Sequence, residues 1–61
     1  MIDYYEYEIY GHRFAFHYDY FSKSYYIMKY SDYYNAWLTL SRSIKTISDC
    51  KDIAKAYIEN Q

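Results

Sequence analysis

The chain has no proline, no valine, one glycine and one cysteine. Each scarcity excludes something. With Cys50 as the only cysteine, no intramolecular disulfide can form, whereas small secreted domains more often carry several. With Gly11 as the only glycine, a single position offers unhindered access to left-handed backbone. Two leucines and no valine leave aromatics and seven isoleucines to build the interior. Charge of one sign is also lacking: seven basic residues against eight acidic give a net charge of −1. That is a weak footprint for a nucleic-acid or membrane-surface binder. No apolar run reaches the length of a signal-peptide core or a membrane span. The expectation is a soluble protein of the bacterial cytoplasm, complete from Met1, with one small domain over residues 1–61.

What is abundant is tyrosine. Twelve of the 61 residues are tyrosine, and eleven of them precede Asn35. A tyrosine ring buries much apolar area at low side-chain entropy cost, but a buried hydroxyl needs a partner. A domain of this size cannot hide twelve phenols. Several must lie on a surface, and a surface paved with tyrosine suits contact with another molecule.

The first half alternates with period two. Tyr5, Tyr7 and Ile9 share one parity, and Glu6 and Glu8 the other. Beyond Gly11, Phe14, Phe16, Tyr18 and Tyr20 alternate with Arg13, Ala15, His17 and Asp19. This pattern predicts two strands. A II′ turn at Gly11-His12 would set Ile9 against Phe14, Tyr7 against Phe16, Tyr5 against Tyr18 and Glu6 against His17. A second fold at Ser22-Lys23 would pair a third strand, 25–30, with the second, setting Tyr20 against Tyr25 and His17 against Met28. Residues 36–40 read as a fourth strand. A short helix over Asp32–Leu40, capped by Ser31, competes, and the alternation of Leu38 and Leu40 favours the strand. Cys50, Ile53, Ala54, Tyr57 and Ile58 form one helical stripe. A helix over Ser48–Glu59 follows, with Ser48 as N-cap, Asp49 in the first turn, and Lys51, Asp52, Lys55 and Glu59 outward.

The fold class is therefore α+β: an antiparallel meander of three or four strands with one C-terminal helix on one face. A helix of about twelve residues spans about 18 Å and covers one sheet face at most. The other face, with Ala15, His17, Tyr26, Met28, Tyr30 and Trp37, is left uncovered.

No catalytic motif stands out. His12 and His17 point to opposite faces, and with Cys50 on the buried stripe no pair has metal-ligand spacing. Glu6 and Glu8 share a strand face and read as a solvated edge rather than a catalytic acid pair. There is no glycine-rich phosphate loop and no Ser-His-Asp set. No cofactor, metal site or enzyme activity is expected. Tyrosine-rich sheets do serve as stacking platforms for nucleic acid, but those come with a basic groove, and here Glu6, Glu8 and Asp19 offset Arg13 and Lys29.

Two resemblances add to this reading. The tail from Ser43 to Ile58 resembles the strand-to-helix step of the arm-binding domains of phage integrases, which implies a three-stranded sheet, a helix and DNA binding. The overall character, tiny, aromatic and near-neutral with an AT-rich codon flavour, is similar to small phage-encoded anti-defence proteins, including anti-CRISPR proteins. That likeness implies occlusion of a host complex. The expected function is a non-enzymatic protein-binding module, an inhibitor acting through Tyr26, Met28, Tyr30, Trp37 and His17. A nucleic-acid-binding module is the alternative, and a homodimer closed over the uncovered face is compatible with either.

Overall fold

A computed structural model describes residues Asp3–Asn60. Four strands, β1 (Tyr4–Ile9), β2 (His12–Asp19), β3 (Ser24–Ser31) and β4 (Ala36–Ile44), precede one helix, α1 (Ile47–Glu59). The strands form a single antiparallel sheet in the order β1-β2-β3-β4. The expected α+β meander is the fold, with four strands where the integrase resemblance implies three.

The alternation sorts the side chains as expected. Tyr5, Tyr7, Ile9, Phe14, Phe16, Tyr18, Tyr25 and Ile27 face α1, which meets them with Cys50, Ile53, Ala54, Tyr57 and Ile58. Phe14, Phe16 and Ile27 are fully buried beneath Cys50 and Ala54. Tyr5 stacks on Phe16 with centroids 5.9 Å apart and planes 8° from parallel. Tyr57 meets Phe14 edge-on at 6.3 Å.

The turns differ from expectation. The first hairpin turns at Tyr10-Gly11, not Gly11-His12, so Ile9 pairs with His12, Tyr7 with Phe14, Tyr5 with Phe16 and Tyr4 with His17. Both central residues have positive φ, 51° at Tyr10 and 79° at Gly11. That is the requirement of a I′ turn, whose twist matches the strands it joins. The second hairpin closes on Asp19 and Ser24 rather than tightly at Ser22-Lys23, so Tyr18, not Tyr20, pairs with Tyr25, and His17 pairs with Tyr26. Asp19 Oδ1 accepts from the Phe21 N–H at 2.9 Å, and Lys23 takes φ of 56° to close the loop. Both registers move by two residues. A shift of two keeps each side chain on its face, where a shift of one would invert the sheet.

The competing helix over Asp32–Leu40 does not form: 32–35 are a turn, and β4 starts at Ala36 as expected and runs past Leu40 to Ile44. Its register with β3 slips between Tyr25 and Ile27 and again between Ile27 and Met28. Ser43 absorbs part of this with φ of 60°. The helix begins at Ile47 with Thr46, not Ser48, as N-cap: Thr46 Oγ1 accepts from the Asp49 N–H at 3.0 Å. Thr46 has extended backbone angles, which the capping residue needs, whereas Ser48 is already helical. Lys51 is half-buried rather than outward. Its Nζ lies 4.9 Å from the Tyr5 ring centroid and 5.8 Å from that of Tyr7, covering the half-buried rings of β1.

Two outcomes follow for stability. Tyr10 is 83% exposed and holds a left-handed conformation. Tyr10→Asn should raise unfolding free energy by about 0.5–1 kcal/mol, because asparagine tolerates that conformation and suits a I′ turn; an unchanged or lower urea midpoint would contradict this turn assignment. Thr46→Ala should cost about 1 kcal/mol and Ser48→Ala much less, with thermal melts of the two variants giving the order.

Candidate functional site

The face of the sheet away from α1 presents Tyr4, Glu6 and Glu8 from β1, Arg13, Ala15 and His17 from β2, and Tyr26, Met28 and Tyr30 from β3. β4 adds Trp37, Thr39 and Arg42. The register brings Tyr26 beside His17, Met28 beside Ala15, Thr39 beside Met28 and Trp37 beside Tyr30. His17, Tyr26, Met28, Tyr30 and Trp37, the five expected contact residues, thus share one face, each half-buried.

Two aromatic rows cross the strands. In one, Tyr4 meets His17 edge-on at 4.9 Å, His17 stacks on Tyr26 at 5.0 Å and 9°, and the Arg42 guanidinium lies 5.5 Å from the Tyr26 centroid. In the other, Tyr30 and Trp37 meet edge-on at 5.3 Å, and the Arg13 guanidinium lies 5.1 Å from the first ring and 5.4 Å from the second. The Tyr30 hydroxyl donates to Asn35 Oδ1, tying this row to the β3–β4 turn. Ring quadrupoles attract cations and favour edge-on pairs, so each row holds itself in place.

Between the rows run Ala15, Met28 and Thr39. Ala15 is only 2% exposed, although it faces away from the helix. Its small side chain is closed in by larger neighbours, with Glu6 and Met28 in register on either side. A shallow cleft of about 640 Å³ opens at the Tyr26 end, where Asp19, Tyr26, Met28, Thr39 and Arg42 contribute to its lining. A second concavity of about 390 Å³ lies on the helix side, between Lys29, Tyr34, Leu38, Leu40 and Tyr57.

Sequence reasoning missed the two arginines as members of the site. Arg13 shares parity with Ala15 and His17, so its place was open to the same alternation. Arg42 was not, because the register slips in β4 bring it to the face of Trp37 and Thr39 against simple period two.

The twelve tyrosines divide by position. Tyr5, Tyr7, Tyr18, Tyr25 and Tyr57 belong to the packed side, and Tyr4, Tyr26 and Tyr30 to the open face. Tyr10, Tyr20, Tyr33 and Tyr34 are exposed in turns, together with Phe21. Tyr20 donates its hydroxyl to Asp3 Oδ1, and that bond holds its phenol above the ordinary value.

Among the described residues no group of three or more His, Cys, Asp or Glu could hold a metal ion, and no helix is long and apolar enough to cross a membrane. His12, in register with Ile9, lies on the opposite side of β2 from His17. Cys50 is fully buried, and burial, with the Asp49 carboxylate adding, pushes its thiol up from 9.0 to about 11. A thiol so held is protonated and poorly nucleophilic at neutral pH. No protein-family model, curated protein or solved structure matches the chain.

The thiol generates a pH prediction. The unfolded chain ionises Cys50 near 9 and the folded one near 11. The folded state therefore binds more protons between these values, and stability falls as pH rises through them. Cys50→Ala should remove part of that slope in urea titrations. In the native protein a thiolate-selective disulfide reagent should label Cys50 at pH 8 only as fast as the chain unfolds. Rapid labelling of folded protein would show an accessible thiol.

Proposed function

We propose that the protein is a non-enzymatic binding module that grips a protein partner with the open face of its sheet. The observation that supports this best is the gathering of Tyr26, Met28, Tyr30, Trp37 and His17 on one face with no element of the described chain over it. Tyrosine, tryptophan and arginine are the types that carry most binding energy at protein interfaces. Their rings are already locked against one another, so little rotamer freedom is lost on docking. The reading extends to an inhibitor of the phage type, which acts by occupying a functional surface of a host protein complex. A homodimer through the same face is its nearest competitor.

The stacked arginines favour one other reading, a platform for single-stranded nucleic acid. Glu6 and Glu8 on the same face oppose it by repelling a phosphate backbone. Salt separates the two: an apolar protein contact should survive moderate salt, whereas nucleic acid should dissociate steeply as salt rises.

The test is a set of face variants against partners captured from a bacterial lysate. Tyr30→Ala and Trp37→Ala should each weaken capture by about 2 kcal/mol, close to thirtyfold, with far smaller effects on melting temperature. Lys55→Glu, on the exposed side of α1, should leave binding unchanged. If the face variants bind like the parent while Lys55→Glu does not, the interface lies on the helix side. Light scattering of the parent and of Trp37→Ala decides the dimer.

A further inference from the structure

The two edges of the sheet are built differently. β4 slips register twice against β3 and carries Ser43 at positive φ, features that blunt an edge against further pairing. β1 pairs one-to-one with β2 along its whole length, with no bulge, proline or lysine. The backbone phase of β1 is fixed at both ends. The Tyr18 N–H donates to the Asp3 carbonyl at 2.8 Å, and Ile9 and His12 close the two-residue turn. Asp3, Tyr5, Tyr7 and Ile9 therefore direct their backbone groups toward β2, and Tyr4, Glu6 and Glu8 direct theirs outward. The N–H and C=O groups of those three residues form a regular ladder edge with no strand beside it among the described residues.

The side chains on that edge define what fits it. On the open side Glu6 and Glu8 are exposed. Glu6 is in register with Ala15, which offers no charge, and Glu8 with Arg13. The Arg13 guanidinium, however, is carried over the rings of Tyr30 and Trp37, on the strands beyond. On the helix side lie Tyr5, Tyr7 and Ile9, half-buried. The principal packing of α1 is over β2, β3 and β4, and the Lys51 ammonium lies over the Tyr5 and Tyr7 rings. A strand added outside β1 would find carboxylates on one side and a row of apolar ring surface on the other.

We propose that β1 accepts an extended segment of a partner protein as a fifth strand, one that alternates basic and apolar residues. Its Lys or Arg side chains would lie beside Glu6 and Glu8, and its apolar ones beside Tyr5 and Tyr7. Backbone bonds would supply affinity, and the alternation would supply selectivity. A second copy of this chain fits less well. Antiparallel pairing of two full-length β1 edges sets Glu6 against Glu6 or Glu8 of the copy, and like charges directly opposite are destabilising. This proposal is independent of the open-face reading, because it concerns the backbone of an edge strand rather than Tyr26, Tyr30 or Trp37.

The experiment is NMR of the labelled protein with a capped peptide of about eight residues, alternating lysine and valine. The Tyr4, Glu6 and Glu8 amides should shift and gain protection from hydrogen exchange. N-methylation of the peptide at alternate residues should abolish binding in one phase and be tolerated in the other. The double variant Glu6→Lys, Glu8→Lys, both exposed positions, should weaken the lysine peptide about tenfold or more and favour a glutamate–valine peptide. Four results would overturn the proposal: shifts centred on Tyr26 and Trp37, equal binding of both peptides by the parent, indifference to N-methylation in either phase, or β1 protection that rises with protein concentration alone. The last would assign the edge to a second copy. Protection of the Tyr4, Glu6 and Glu8 amides and the N-methylation phase report on the β1 edge itself, so they are read separately from any binding by the open face.

Discussion

The structure depends on the close seating of one helix against the aromatic centre of the sheet. Cys50 and Ala54, the two fully buried residues of α1, are small. Across from them stand Phe14, Phe16 and Ile27, which are large and also fully buried. Small against large lets the helix approach until the layers interdigitate, and interiors reach native density only in this way. The complementarity also limits the fold. A helix of 13 residues centred on β2 and β3 leaves β1 to cover its own inner face, with Tyr5 and Tyr7 laid on Phe16 and Phe14 and a lysine stem drawn across them. A bulkier residue at Ala54 would lift the helix from all of these at once.

The opposite face meets the same shortage of chain by another route. With no second layer, its rings pair with one another and with two guanidinium groups. Arginine is weakly hydrated and stacks readily on aromatic planes, so it covers ring surface while keeping its donors toward water. The outcome is a face that is aromatic in composition yet only half-exposed, ring by ring. This reconciles twelve tyrosines with so small a molecule: some are packed, some cover one another, and the rest stand in turns where nothing needs to enclose them.

Much of this was legible in the alternation, for a specific reason. Side-chain facing depends on parity, and both hairpins shifted by two residues, so Phe14, Phe16 and Ile27 still pointed inward and Tyr26, Met28 and Tyr30 outward. The helix was legible because Cys50, Ile53, Ala54, Tyr57 and Ile58 lie on one stripe whichever residue caps it. The turns were not, because Tyr10 adopts positive φ without being a residue that favours it, and a single glycine could serve either of two turn types. The second half of β4 was not, because Ser41-Arg42-Ser43 breaks alternation where the strand slips register. Arg42 could be assigned to the open face only once those slips were located.

The slips in β4 have a further consequence. Irregular pairing costs ladder regularity, yet here it falls at the edge strand that leads into the helix. The same distortion turns the chain toward α1, brings Ile44 into the core beside Tyr25, and sets Arg42 over Tyr26 on the other side. One edge is thereby committed to three structural tasks. The other, β1, is free of such demands and keeps an unbroken register with β2, with acids on one side and half-buried rings on the other. In a sheet with only two edges, that asymmetry leaves β1 as the strand able to add a partner's strand without disturbing the packing that holds the helix.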